Sequence, residues 1–217
     1  MRSGGRKYDV DRAAKLVPEL LQLKEDFLSQ EDTAQLVADL NSHKMMPIGS
    51  KDDSKRGLIW IRLRYHNPKE SKARDMARLV SNNMLHILAQ DVDAQRYGLT
   101  IVNDMTGLGL KNLDPSIPKV LFGEVFPRLP IRIGRICIFN PPWIVGHVIL
   151  PILMTFMSKK LRSRIIVVNS SKPEALHKHV PPSALPSALG GSYAFDEDKW
   201  AETMIKGLGT SSPVAVS

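Results

Sequence analysis

Apolar residues recur at three- and four-residue spacing over residues 9–28, with Leu16, Leu20, Leu23 and Phe27 as a stripe, and predict a helix starting near Asp9 or Asp11. A second helix is predicted over 31–42, with Leu36, Val37 and Leu40 inward. Residues 45–57, with Pro47, Gly49 and Gly57, read as a polar loop. The next segment, 58–65, alternates apolar and basic residues toward its end, as a strand does, and Asn67-Pro68 stops it. A long amphipathic helix follows over 70–91, its inner side formed by Met76, Leu79, Val80, Met84, Ile87 and Leu88. Beyond it the pattern predicts a strand over 97–105 closed by Thr106-Gly107, a helix over 115–126 and a strand over 131–139. An apolar helix follows over 142–157, then a short β-branched strand over 165–169 covered on both faces. Short helices at 173–179 and 196–206 and a disordered tail over 207–217 complete the chain. Two helices followed by alternating strands and helices define an α/β fold class, with a mostly parallel sheet and crossover helices. We expect a helical N-terminal lobe over 1–50, one α/β domain over 51–206, and the tail.

One segment has no polar face. Residues 141–157, PPWIVGHVILPILMTFM, run for 17 positions without a formal charge, and only His147 and Thr155 interrupt the apolar surface of a helix. Such a helix is buried on both sides or meets lipid. It is shorter than the roughly 20 residues a membrane span needs, and Pro141-Pro142 and Pro151 punctuate it. Lys159, Lys160, Arg162 and Arg164 follow directly, as a surface suited to phosphate would.

Composition narrows the chemistry further. The chain has 217 residues, enough for one substantial core, and 43% hydrophobic and 24% charged residues are ordinary for a globular protein. Net charge is +8, favouring an anionic partner. The basic N-terminus is not followed by an apolar run, so we expect no signal peptide. Cys137 is the only cysteine, which rules out an intrachain disulfide and suits a reducing compartment. It lies among Ile136, Ile138 and Phe139, where a structural thiol is expected rather than a nucleophile. There is no G-x-S-x-G elbow, P-loop or complete G-x-G-x-x-G; Gly107-Leu-Gly109 is a turn fragment. His177 and His179 have no neighbouring cluster to complete a metal site, and Asp104 before Thr-Gly reads as a turn residue. We expect no enzyme activity, metal or cofactor. Cations and aromatics do not interleave, which argues against nucleic acid.

Three blocks then identify a resemblance covering about 6–205. Arg6-Lys-Tyr-Asp-Val-Asp-Arg-Ala-Ala14 looks like the R-K-F-D-x-x-x-A helix start of the CRAL-TRIO (Sec14-like) lipid-binding domain. Phe126-Pro-Arg-Leu-Pro-Ile-Arg-Ile-Gly-Arg-Ile-Cys-Ile-Phe-Asn-Pro-Pro-Trp143 is similar to its F-P-x-R…N-x-P-W block. Leu161-Arg-Ser-Arg-Ile165 and Leu185-Pro-Ser-Ala-Leu-Gly-Gly191 resemble its closing pattern, with Ala188 where an acidic residue is usual. Within the family the chain most resembles the alpha-tocopherol transfer and retinaldehyde-binding branch. The resemblance implies a helical N-terminal lobe, here truncated because five residues precede Arg6, and an α/β lobe whose sheet floors a closed apolar pocket. The helix at 142–157 is then the gate over that pocket.

The resemblance also implies site residues. Positions matching a phosphoinositide-binding cluster are Arg6, Arg132, Lys160 and Arg164, while a further basic position falls on Gly134, with Arg135 adjacent. Arginine grips phosphate in bidentate fashion. The phosphatidylinositol-exchanging branch has a Glu where Ile131 stands and a Thr where Leu161 stands, so a whole phosphatidylinositol inside the pocket is disfavoured. Candidate pocket residues are Phe122, Phe126, Ile136, Ile138, Ile144, Val148, Ile152 and Phe156. The expectation is a cytoplasmic, monomeric, non-enzymatic carrier of a hydrophobic small molecule or lipid that docks transiently on phosphoinositide-bearing membranes, endosomal ones included. Its alternative is a phosphoinositide-reading adaptor, or a phosphatidylinositol/phosphatidylcholine-exchange module, without such cargo.

Overall fold

A computed structural model describes residues 10–28, 33–155 and 157–210. A five-stranded sheet runs in chain order: β1 (Met45–Lys51), β2 (Gly57–Ile61), β3 (Leu99–Asp104), β4 (Ile133–Phe139) and β5 (Ile165–Val168). β1 pairs antiparallel with β2, and the other neighbours pair in parallel. Each parallel step moves the same way across the sheet, so right-handed crossovers put all the connecting helices on one face. That face receives Ile59, Leu99, Ile101 and Ile133, which pack with Met76, Leu79, Val80 and Met84 of α3 (Ala73–Gln90) and with Ile117 of α5 (Ser116–Val120). The alternate residues Leu58, Trp60, Val102, Cys137 and Phe139 form a second core with Leu176, Val180, Leu185 and Leu189 from the C-terminal segment. Period-two alternation thus splits the sheet's apolar residues between two layers.

The first and last described helices are tied to the rest of the domain. α1 (Val10–Leu28) and α2 (Thr33–Asn41) add Leu23, Phe27, Leu36 and Leu40 to the helix-side core. Arg78 of α3 donates from Nε to the Phe27 carbonyl at 3.1 Å. At the other end, α8 (Glu197–Thr210) presents Glu197 to Arg62, whose Nη1 donates to Oε1 at 3.0 Å. Arg62 lies between the rings of Trp60 and Tyr65, 4.2 and 4.8 Å from their centroids.

Several elements differ from the sequence reading. Residues 45–51 are a strand, not part of a polar loop. Pro47 is tolerated there because β1 is an edge strand, and Gly49, at φ +83°, sits in the irregular stretch between Pro47 and Lys51. The next strand stops at Ile61, and Leu63–Tyr65 is a 3₁₀ turn. A short helix not anticipated, α4 (Val92–Tyr97), is capped by Asp91, whose side chain accepts from the Ala94 amide at 3.0 Å. The helix read over 115–126 is α5 followed by a π-turn, Leu121–Val125, and a 3₁₀ turn, Phe126–Arg128. The short helix read over 173–179 is a 3₁₀ helix, Pro173–Lys178. α8 continues to Thr210, four residues into the stretch read as tail, and 211–217 lie outside the described residues. No described helix is long and apolar enough to cross a membrane.

Candidate functional site

Beyond β4 the chain turns at Asn140, whose φ of 49° is left-handed and whose Nδ2 donates to Thr106 Oγ1 at 3.1 Å. The apolar segment that follows is helical but irregular. A π-turn, Val145–Ile149, closed by the Leu150 amide on the Val145 carbonyl, leads into α6 (Leu150–Thr155). Pro151 explains the widened turn, because it has no N–H to offer the carbonyl one turn back. His147 stacks on Trp143 at 5.1 Å between ring centroids, and its Nδ1 lies 2.9 Å from the Trp143 carbonyl oxygen.

This helix has an inner and an outer side. Val145 and Leu150 are buried against Met105, Leu108 and Ile138, with Ile149 and Met154 packed beside them. Trp143, Ile144, Val148 and Ile152 are exposed by 71%, 40%, 44% and 56%. Of the sequence-predicted pocket residues on this helix, Ile144, Val148 and Ile152 therefore lie on the outer side, while Val145, Ile149 and Leu150, absent from that set, line the inner one. Phe156 lies outside the described residues.

Under the inner side the sheet is not fully closed. Ile136 lies on β4, an interior strand, and packs against both the helix-side core and the residues beneath the apolar helix, yet it is only half-buried. Ile165, paired with it on β5, is likewise half-buried, whereas Ile138 is 4% exposed. A residue in the middle of a sheet under a helix layer is normally covered completely, whereas Ile136 and Ile165 keep part of their surface open. Phe126 packs against the helix-side core, and its ring lies 5.2 Å from that of Phe122, tilted by 47°, both half-buried. Ile131 and Leu161 are also half-buried and pack against the main core.

Cations gather where the parallel strands begin. Arg132 precedes β4, Arg164 precedes β5, and Lys160 lies in α7 (Lys159–Arg162), the short helix entering β5. Arg132 and Lys160 are exposed and Arg164 is half-buried. The Arg164 guanidinium donates to the Ile133 carbonyl. Burial, and after it the positive charges of Arg132 and Arg56, push its pKa down from the ordinary arginine value. Arg56, immediately before β2, thus belongs to the same edge, although the sequence reading did not select it. The sequence reading took its cations from the family resemblance, which marks no position at Arg56; a cation just ahead of a strand was the signal that could have found it. Arg6 lies outside the described residues.

Cys137, His177 and Asp104 each have a structural setting. Cys137 is fully buried, and burial pushes its thiol up to about 11, the opposite of an activated nucleophile. His177 lies 2.9 Å from the Gly190 carbonyl oxygen, and no metal-competent cluster occurs among the described residues. Asp104 binds Arg64 at 2.8 Å and accepts from the Thr106 amide at 3.0 Å, as a turn residue does.

An apolar helix lying over a partly covered sheet, with a cationic edge at the strand starts, is the arrangement of a lipid-binding module. Residues 40–191 match the model of the CRAL/TRIO domain, and the chain belongs to that family. It is similar to tyrosine-protein phosphatase non-receptor type 9 of Homo sapiens and of Rattus norvegicus, 25% identical over 201 residues that make up 90% of this chain. The chain spans about a third of the length of these relatives, 32%. Its fold is similar to the crystal structure of Sfh5, with a TM-score of 0.60 and 11% identity over 93% of this chain and 76% of that one.

Proposed function

We propose that the protein is a non-enzymatic carrier that holds one hydrophobic small molecule or lipid between the sheet and the helix spanning 143–155, and docks on phosphoinositide-bearing membranes to exchange it. The observation that carries this reading is the half-burial of Ile136 on an interior strand beneath an apolar helix. A ligand tail there would cover Ile136 and Ile165 and contact Phe122, Phe126 and Ile138. The outer residues Ile144, Val148 and Ile152 then act as the membrane-facing side of the gate instead of lining the cavity. Each such side chain transferred into lipid contributes roughly 1.5–3 kcal/mol, so three suffice for reversible docking. Arg132, Lys160 and Arg164 would hold the phosphorylated headgroup beside the gate's C-terminal end. The cargo is of the tocopherol or retinoid kind rather than phosphatidylinositol, a reading supported by Ile131 and Leu161, which place apolar side chains against the core near this edge.

Mass spectrometry of lipid co-purifying with the native protein, followed by uptake into delipidated protein, tests the reading. The carrier takes up a hydrophobic ligand in stoichiometric amount. Headgroup binding without uptake would instead establish the adaptor. Neither uptake nor binding to anionic vesicles would overturn both.

A further inference from the structure

The guanidinium of Arg56 is held in a built setting. Asp52 and Arg56 close the turn between β1 and β2, with the Asp52 amide donating to the Arg56 carbonyl at 3.0 Å. The Asp52 side chain is wholly buried. It accepts from Thr100 Oγ1 at 2.7 Å, from the amides of Ser54 and Arg56 at 2.8 and 3.1 Å, and from Arg56 Nε at 2.8 Å. These contacts fix the Nε edge of the guanidinium and aim its far end at β4. There the register slips, Leu99 pairing with Ile133 and Thr100 with Arg135, so Gly134 is the extra residue of a bulge. A β-carbon at Gly134 would collide with Arg56 Cδ and lie 2.6 Å from Nη1. The Gly134 backbone is not left-handed, so glycine is required there for the space Arg56 occupies, not for its conformation. Arg56 thereby lies against Gly134, the residue after Ile133, whose carbonyl accepts from the Arg164 guanidinium, so one stretch of β4 holds both cations. Like charges held together by the fold are a preorganised anion site, whose repulsion an incoming phosphate relieves.

We propose that Arg56, positioned by Asp52 and admitted by the bulge glycine, is a fourth cation of the phosphate-binding edge formed by Arg132, Lys160 and Arg164, with a phosphorylated inositol headgroup as its ligand. This inference rests on the headgroup reading above and adds to it a residue from a different strand.

The test uses the full chain with phosphatidylcholine vesicles carrying phosphatidylinositol bisphosphate, and soluble inositol trisphosphate as the lipid-free source of the same chemistry. Arg56→Gln weakens vesicle binding about tenfold, the loss of one charge-assisted contact. Gly134→Ala, which displaces the guanidinium while keeping its charge, weakens binding in the same direction and serves if Arg56→Gln does not fold. Arg56→Ala combined with Gly134→Arg restores binding, because the vacated space accepts the new side chain. A loss seen with both probes assigns Arg56 to the phosphates themselves; a loss with vesicles alone assigns it to the lipid-borne headgroup. If folded Arg56→Gln and Gly134→Ala both bind like wild type while Arg132→Gln and Lys160→Gln do not, Arg56 is only the buried partner of Asp52 and the proposal falls. If Arg132→Gln and Lys160→Gln also bind like wild type, the headgroup reading itself falls.

Discussion

Lys44 Nζ lies 2.5 Å from Asp39 Oδ1, with the two side chains only 2% and 4% exposed. Ser71 closes the triangle, accepting from Lys44 at 2.8 Å and donating to Asp39 Oδ2 at 3.2 Å. The three residues join the end of α2, the approach to β1 and the approach to α3, so the pair fastens the helical lobe to the sheet. Burial lowers the Lys44 pKa and the Asp39 carboxylate works against that shift.

Removing one member of this pair leaves a buried charge uncompensated. Lys44→Met is expected to destabilise the protein by about 3–5 kcal/mol, whereas Asp39→Leu with Lys44→Met together recover most of that loss. Urea denaturation of the single and double variants measures both. Equal destabilisation by the single and double variants would contradict the coupling.

His66 predicts a pH dependence. It is 1% exposed, and neither ring nitrogen has a hydrogen-bond partner among the described residues. Burial, then the Lys44 charge, lowers its pKa from the ordinary value, with Asp114 and Asp39 opposing. A lowered histidine pKa means the unfolded chain takes up a proton before the folded one does. Stability therefore falls as pH drops below about 6.5, by at most about 1.4 kcal/mol per pH unit for one group. His86 and His179 are lowered too and share the slope. His66→Leu should flatten the curve between pH 7 and 5 without abolishing it, as read by urea denaturation at each pH.

The two sides of the gate should respond differently to charge. Val148→Asp and Ile152→Asp lie on the exposed side and should leave thermal stability nearly unchanged, within about 0.5 kcal/mol, while sharply reducing vesicle binding. Leu150→Asp, at a position 3% exposed, should instead unfold or loosen the domain. Vesicle co-sedimentation and thermal melts separate the two effects.

Filling the space above β4 separates cargo from headgroup. Ile136→Trp should lower uptake of hydrophobic ligand by delipidated protein while vesicle binding through Arg132 and Lys160 persists. Fluorescence of the added tryptophan, quenched by ligand in any residual binding, reports directly on that space.

The order of elements was legible because strand and helix periods leave distinct marks. Leu58–Ile61 alternates between two cores, and Met76, Leu79, Val80 and Met84 return to one face. β1 was illegible. Met45, Met46, Pro47 and Ile48 are buried in succession and show no alternation, and the proline argues locally against a strand. Only pairing with β2 makes it one, at an edge where a missing amide is tolerated. Asp52 and Arg56 likewise read as ordinary turn polarity; the burial of Asp52 beside Thr100 depends on a strand 48 residues further along the chain.

By itself the sequence determined that one helix would have no polar face and that a run of cations would follow it directly, since both are properties of neighbours along the chain. Tertiary structure alone decided which side of that helix is buried, because a helix apolar all round carries no phase in its pattern. It also decided that Arg56, Arg132 and Arg164 share one edge. Parallel pairing brings strand starts together whatever their separation in sequence.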